Sequence, residues 1–171
     1  NKSEFEIYGF SIGPSKDGWT ERVKKYFDKF IDASNMSDIE IKSLSKKLKL
    51  DIAVNLTGLT FNARYSIFFN KLATKQINYL GYPGTMGTKC FDYIIADKIV
   101  IPEENKKYFS EEVIYLPNCY QANQEKIEIS NKNLNKKDFG LPEDKFIFGC
   151  FNNSYKITPL IFESWMNILK K

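Results

Sequence analysis

Short apolar segments with β-strand character alternate with helical segments along most of this chain, and this alternation limits the possible folds. Strands are predicted over residues 5–10, 51–56, 76–80, 92–96 and 112–116. Residues 51–56 (DIAVNL) form a nearly continuous apolar run, which is typical of a strand buried on both faces of a parallel sheet. The alternation therefore predicts an α/β fold, a Rossmann-like parallel sheet with helices on both faces.

Apolar periodicity and capping residues mark the predicted helices. Apolar side chains recur at helical spacing from Trp19 to Phe30 and predict a single helix there. Ser37 and Glu40 have the spacing of a capping box, which predicts the start of a second helix. Shorter helices are predicted over residues 65–73 and 102–109.

The composition changes over residues 118–137, which are rich in Asn, Lys, Gln and Glu and are interpreted as a linker. The pattern of strand and helix then restarts, with a strand predicted over residues 145–151 (KFIFGCF). Thr158 and Pro159 are predicted to be the N-cap and the first residue of a helix. The stripe that this helix is expected to bury consists of Ile161, Trp165, Ile168 and Leu169.

The composition excludes several kinds of chemistry and partner. The 171 residues contain no histidine, which excludes Ser-His-Asp and Cys-His nucleophile chemistry and His-ligated metal sites within them. Of the 25 basic residues only Arg22 and Arg64 are arginines. Because such a surface lacks the planar side chains that read bases bidentately, no nucleic-acid partner is expected. No apolar run approaches the ~18 residues of a membrane span, so no membrane partner is expected either.

The cysteines and the chain ends predict the cellular setting. The three cysteines are widely spaced and form no CxxC pair, which predicts free thiols in a reducing cytoplasm. The sequence begins at Asn1, without a Met or a leader-like segment, and stops at an amphipathic helix. We therefore expect a piece of a larger cytoplasmic protein.

Three polar loops follow predicted strands, at the sheet edge where open parallel α/β folds bind ligands. They are residues 57–60, 81–87 and 152–156. The third loop precedes a helix N-terminus, whose free N–H groups attract anions, and Lys156 would add its charge there. This combination suits a diphosphate, with Asn153 as a hydrogen-bonding neighbour. The alternative is a solvated lysine in a polar loop.

Glycines at positions 81, 84 and 87 allow the second loop to turn sharply and to approach a ligand closely. Their spacing matches neither GxGxxG nor the lysine-containing P-loop. The loop is a candidate ligand contact, and a purely structural turn is the alternative. Asp92 and Asp97 lie near the ends of the strand predicted over residues 92–96 and are interpreted as caps rather than as a catalytic pair.

An ordered set of motifs resembles the O-linked N-acetylglucosamine transferase family, which includes the SPINDLY-like glycosyltransferases. The resemblance covers about residues 51–171, and more loosely the segment before them. The motifs that carry it are NLTG at 55–58, NAR at 62–64, LGYPGTMG at 80–87, DYIIAD at 92–97, Pro102, YFSE at 108–111, YLP at 115–117, LPED at 141–144 and FNNSYKI at 151–157.

The resemblance implies a GT-B glycosyltransferase, in which two Rossmann-like lobes enclose a cleft. Residues 1–137 would then be most of the N-terminal lobe, without its first strand. Residues 138–171 would be the first strand and helix of the C-terminal lobe. The family's His-Pro loop, the rest of the C-terminal lobe and the tetratricopeptide repeats would lie outside these residues.

The resemblance also implies roles for individual residues. Lys156 would be catalytic, because its ammonium would stabilise the departing diphosphate, and Asn153 would contact the nucleotide. Leu80, Gly81 and Pro83 would line the pocket for the sugar. No metal site is implied.

The implied reaction is an inverting transfer of a sugar, GlcNAc, from a UDP-sugar to Ser or Thr hydroxyls of a protein acceptor, without metal or cofactor. Alone, the chain is expected to be inactive. One alternative is an O-fucosyltransferase that uses GDP-fucose. Another is a non-catalytic α/β module that serves scaffolding or protein binding.

Overall fold

A computed structural model describes residues 4–13, 17–123 and 129–170. Contacts divide the chain into two compact units, residues 1–124 and residues 125–171. The division falls inside the predicted linker 118–137, of which residues 124–128 lie outside the described residues. Each unit is described by itself.

The first unit contains two parallel sheets. Strands β1 (Tyr8–Ser11) and β2 (Lys29–Asp32) form a two-stranded sheet. Strands β3 (Ile52–Asn55), β4 (Lys75–Asn78), β5 (Tyr93–Ala96) and β6 (Glu112–Tyr115) form a four-stranded sheet in the order β3-β4-β5-β6. Every pair is parallel, which confirms the α/β class predicted from the alternation of elements. The described strands form two sheets rather than one.

The helices of the first unit follow the local capping signals. Helix α1 spans Gly18–Lys24 and helix α2 spans Asp38–Lys47. The capping box of Ser37 and Glu40 is present, which confirms the predicted start of α2. Segments Tyr65–Asn70 and Glu103–Tyr108 are 3-10 helices where helices were predicted.

The single helix predicted from Trp19 to Phe30 is wrong. Helix α1 ends at Lys24, and Phe30 lies in β2. Pairing with β1 supplies the backbone of this segment with a hydrogen-bonding partner, and Asp28 accepts the Ile7 N–H at 2.7 Å. The aromatic spacing that imitates a helix therefore runs across a short helix, a turn and a strand, and the Phe27 and Phe30 ring centroids lie 5.8 Å apart.

One hydrophobic cluster joins the two sheets of the first unit. Phe10 of β1 and Ala53 of β3 pack against the same buried residues, among them Ile41 of α2 and Phe68. The outer face of β3 is not covered by the described residues, since Ile52 is 53% exposed. The prediction that residues 51–56 are buried on both faces is therefore wrong for the described chain.

The second unit has little regular structure before its final helix. Residues Lys136–Phe139 and Ser154–Lys156 are 3-10 helices, and α3 spans Pro159–Leu169. The Thr158 hydroxyl accepts the Ile161 N–H at 3.4 Å, which confirms the predicted N-cap, and Pro159 is the first helical residue.

Two predictions for this second unit are wrong. The strand predicted over residues 145–151 is not formed, because no described strand pairs with it, and Phe146 is 80% exposed. The predicted stripe on α3 is not buried. The helix contains no buried residue, because no described element covers its apolar side: Ile161, Ile168 and Leu169 are exposed and Trp165 is half-buried.

Across the described residues, no helix is both long and apolar enough to cross a membrane.

Candidate functional site

Two loops of the first unit meet at the carboxyl ends of β3 and β4. Residues 57–60 follow β3, and residues 79–87, here called the glycine loop, follow β4. A Cβ added to Gly81 would lie 2.6 Å from the Leu56 carbonyl oxygen, so only glycine allows this approach of one backbone to the other. Gly58 has a φ of +61° and lies against Tyr82 of the glycine loop. The two loops therefore form one surface at the edge where parallel sheets bind ligands.

The glycine loop begins with a strained turn at Leu80. The Gly81 N–H donates to the Tyr79 carbonyl at 3.1 Å, and the φ of Leu80 between them is +77°. A bond between residues two apart with a positive central φ describes the rare form of the γ-turn. Leucine seldom adopts this backbone conformation, which costs on the order of 1–3 kcal/mol. Such strain is concentrated at binding sites and catalytic sites.

Two buried asparagines connect the loops to the sheet. Asn55 and Asn78 occupy the last positions of β3 and β4 and are partners in the strand register. The Asn55 amide nitrogen donates to the Asn78 side-chain oxygen at 3.2 Å. The Asn55 side-chain oxygen accepts the N–H and the hydroxyl of Thr57, and the Asn78 amide donates to the Gly84 carbonyl at 3.4 Å. One network thus fixes both loops.

A buried carboxylate holds the far end of the glycine loop. Glu111 precedes β6, and it accepts the Met86 N–H and the Thr85 hydroxyl, each at 2.7 Å. The Thr85 hydroxyl oxygen also accepts the N–H groups of Gly87 and Ser110 at 3.0 and 3.2 Å. These contacts tie the end of the loop to the start of β6.

Asp97 connects β5 to the segment that follows β6. Its carboxylate accepts the N–H groups of Ile99 and Val100 at 2.9 Å and that of Tyr120 at 2.8 Å. The hydrogen bond from the Val100 N–H, followed by those from Tyr120 and Ile99, lowers the pKa of Asp97 below its ordinary value. The Tyr79 hydroxyl donates to the Tyr120 carbonyl at 2.9 Å, so this connection reaches the glycine loop.

Asp92 has a similar structural role at the start of β5, the strand that Asp97 follows. Burial raises its pKa, but the Gln76 N–H and the ammonium groups of Lys71 and Lys75 outweigh burial, and the pKa lies below its ordinary value. The Gln76 N–H donates to it at 2.8 Å and Lys71 at 3.1 Å. Asp92 and Asp97 thus bind backbone N–H groups, as expected of caps.

The second unit carries the predicted pair Asn153 and Lys156. They lie in and beside the 3-10 helix Ser154–Lys156, where the Lys156 N–H donates to the Asn153 carbonyl at 3.0 Å. Asn153 makes no side-chain cap, and both side chains are exposed. The turn leads through Ile157 and Thr158 directly into α3, so Lys156 lies three residues before Pro159, the first residue of that helix.

The structure brings the predicted site residues together in two groups. Leu80, Gly81 and Pro83 share the glycine loop of the first unit. Asn153 and Lys156 share one turn of the second unit. Over residues 4–13, 17–123 and 129–170, no group of three or more Cys, Asp or Glu side chains is arranged to hold a metal ion.

Sequence reasoning missed the buried polar residues that fix the glycine loop, namely Asn55, Asn78 and Glu111. A signal was present, because two neighbouring predicted strands, DIAVNL and QINYL, each carry an Asn near the carboxyl end. An amide at a position that a parallel sheet buries needs a buried partner. Glu111 ends the motif YFSE at 108–111, but that motif does not indicate that its carboxylate is buried.

Comparison with known proteins places this chain in a family. The model of glycosyl transferase family 41 matches residues 1–131 and 121–171. The chain belongs to glycosyl transferase family 41. Two curated relatives are similar: the probable UDP-N-acetylglucosamine–peptide N-acetylglucosaminyltransferases SEC of Arabidopsis thaliana (36% identity over all of this chain) and SPINDLY of Eustoma exaltatum subsp. russellianum (32% over 96% of it).

Among solved structures, a mutant O-GlcNAc transferase of Thermobaculum terrenum is similar to this family 41 chain, with a TM-score of 0.67 and 25% identity. The match covers 70% of this chain and 23% of that one. The chain spans 18% of the length of each of the two curated relatives. The family predicted from the motifs is confirmed, and so is the kinship with glycosyltransferases.

Proposed function

We propose that the full-length polypeptide carrying this sequence is a protein O-glycosyltransferase that transfers GlcNAc from UDP-GlcNAc to Ser or Thr hydroxyls. The observation that carries the proposal is the close backbone contact between the glycine loop and residues 57–60, with a strained turn at Leu80. It occurs in a chain of family 41. The printed names of the relatives, peptide N-acetylglucosaminyltransferases that use UDP-N-acetylglucosamine, support the choice of donor and acceptor.

In this proposal each part of the chain has a defined task. The acceptor hydroxyl oxygen attacks the anomeric carbon and loses its proton to solvent. The bond from that carbon to the diphosphate oxygen breaks, its electron pair leaves with UDP, and the configuration inverts. Negative charge builds on the departing diphosphate. The ammonium of Lys156 stabilises that charge without a metal ion, and Asn153 contacts the nucleotide. Leu80, Gly81 and Pro83 contact the sugar.

The chain is proposed to be inactive alone and to need the remainder of the polypeptide for activity.

The cysteines bear on the proposed location. All three are free and two of them, Cys119 and Cys150, are exposed, which supports a reducing, cytoplasmic setting.

Transfer assays on the full-length polypeptide test this function, with an acceptor peptide and either UDP-GlcNAc or GDP-fucose as donor. Transfer from UDP-GlcNAc is expected. Lys156→Ala should lower kcat about 10²–10³-fold, because the charge on the departing diphosphate loses the ammonium that stabilises it. Lys132→Ala, which removes an exposed lysine of the same unit, is the matched control and should leave kcat unchanged.

Three outcomes would contradict parts of the proposal. Transfer from GDP-fucose and not from UDP-GlcNAc would show that the donor is GDP-fucose. Absence of both transfer and nucleotide-sugar binding would favour a scaffolding module. A Lys156→Ala enzyme with the rate of the unaltered enzyme would remove the role of Lys156.

A further inference from the structure

Glu111 holds the glycine loop in an unusual way. Only 5% of the residue is exposed, and both carboxylate oxygens accept hydrogen bonds from neutral donors, Met86 N–H and the Thr85 hydroxyl. In the part of the chain that the structure describes, no lysine or arginine nitrogen lies within 4.0 Å of this carboxylate. A buried carboxylate without a cation destabilises a fold unless hydrogen bonds offset that cost. The backbone geometry that Glu111 fixes in the glycine loop therefore indicates a function beyond packing.

The hydrogen bonds of Glu111 fix several backbone groups at once. Its partner Thr85 also accepts the N–H groups of Gly87 and Ser110, so a single hydroxyl oxygen binds the glycine loop and the segment that precedes β6. Met86 is buried, and its N–H points to the carboxylate. The end of the loop is thereby held at several adjacent points.

The beginning of the same loop holds the strained turn. Leu80 has a φ of +77°, and Gly81 lies in backbone contact with the loop that follows β3. A strained backbone persists only where surrounding contacts determine it. Asn78 binds the loop in its middle, at the Gly84 carbonyl, and Glu111 binds it at residues 85–86. The backbone on the carboxyl side of the turn at Leu80 is thus held by hydrogen bonds at residues 84–86.

We propose that Glu111 is a positioning residue for nucleotide-sugar binding: its buried carboxylate fixes the end of the glycine loop so that Leu80, Gly81 and Pro83 keep the conformation that contacts the sugar. This inference rests on the proposed function. It concerns only the sugar contacts of the first unit, so binding of UDP is expected not to depend on Glu111.

The test compares two ligands on the full-length polypeptide by isothermal titration calorimetry. For Glu111→Gln, the Kd for UDP-GlcNAc should rise about tenfold, while the Kd for UDP should stay within about twofold. A merely structural role would not produce this split. Thr85→Val removes the hydroxyl that Glu111 accepts and should give the same split, so the test does not depend on Glu111→Gln folding.

Glu112→Gln is the matched control, because Glu112 is the exposed neighbour and loses the same charge. It should leave both Kd values within about twofold of the unaltered polypeptide. Unchanged binding of both ligands in Glu111→Gln and Thr85→Val would overturn the inference, and so would equal weakening of both ligands. If the unaltered polypeptide binds neither UDP-GlcNAc nor UDP, the proposed function fails and this inference fails with it.

Discussion

The two candidate loops are held in opposite ways by the units that carry them. The glycine loop is fixed by side chains that are almost fully buried, those of Asn55, Asn78 and Glu111. The turn with Asn153 and Lys156 is a three-residue 3-10 helix without a side-chain cap, and no residue between 129 and 170 is buried. The glycine loop is shaped by side chains that include two distant in the sequence, Asn55 and Glu111. The turn is shaped by backbone hydrogen bonds between near neighbours.

This difference follows from what each loop presents. A leucine with a positive φ stays in that conformation only when the fold around it excludes the relaxed alternatives. An exposed lysine ammonium is well hydrated and needs only a short turn to carry it. The glycine loop therefore needs contacts with much of the first unit to keep its conformation. The turn with Lys156 needs only the start of the helix that follows it.

The largest contrast between the units is expected from matched isoleucines on their helices. Ile41 of α2 is 1% exposed and Ile161 of α3 is 41% exposed. Ile41→Ala should lower the free energy of unfolding by about 2–5 kcal/mol, because it leaves a cavity in the shared core. Ile161→Ala should change it by no more than about 0.5 kcal/mol. Urea denaturation followed by circular dichroism measures both, and equal losses would break the contrast.

Local signals allowed much of this fold to be predicted, and non-local pairing explains most of the rest. The capping box at Ser37 and the cap at Thr158 involve residues three apart, so the sequence shows them directly. Phe30 was misassigned because its strand exists only through pairing with β1. The segment KFIFGCF predicted a strand over residues 145–151, but a strand needs a neighbour, and none of the described strands pairs with it.

The same distinction between local and non-local signals applies to the candidate site. Leu80, Gly81 and Pro83 are adjacent in sequence, so the motif that contains them placed them in one loop. Glu111 lies 25 residues from Met86 and belongs to the site only through tertiary hydrogen bonding. Hydropathy cannot reveal such a residue, because it scores a buried carboxylate as an exposed one.

A smaller contrast is expected from two glycines. In Gly81→Ala, the new Cβ would lie 2.6 Å from the Leu56 carbonyl oxygen, so one backbone must move, at a cost of about 1–3 kcal/mol. In Gly149→Ala of the second unit, the nearest atom is at the end of the Phe151 ring, 3.3 Å away, and the ring can turn aside. That change should cost no more than about 0.5 kcal/mol. Differential scanning calorimetry compares the two, and a harmless Gly81→Ala would show that the loops are not interlocked.

The smallest expected effect is the pH dependence of stability, which differs between Asp97 of the first unit and the helix cap Thr158 of the second. The folded pKa of Asp97 lies below its ordinary value of 3.8, because the N–H groups of Val100, Tyr120 and Ile99 donate to its carboxylate. The stabilisation from Asp97 is therefore fully present above pH 3.8 and is lost as the pH falls through the lower folded pKa. Thr158 caps α3 with a hydroxyl that does not titrate in this range.

Amide proton shifts measured by NMR between pH 2.5 and pH 6 would follow both caps. The amide of Val100 should titrate with a midpoint below 3.8, and that of Ile161 should keep its shift, since its acceptor stays uncharged. In Asp97→Asn the titration at Val100 should disappear. A midpoint at or above 3.8 would mean that the carboxylate gains nothing from its three backbone donors, and the fold would then need another link between β5 and Tyr120. The predicted asymmetry, a titrating anchor in one unit and a neutral cap in the other, would make acid weaken the surroundings of the glycine loop while leaving the cap beside Lys156 intact.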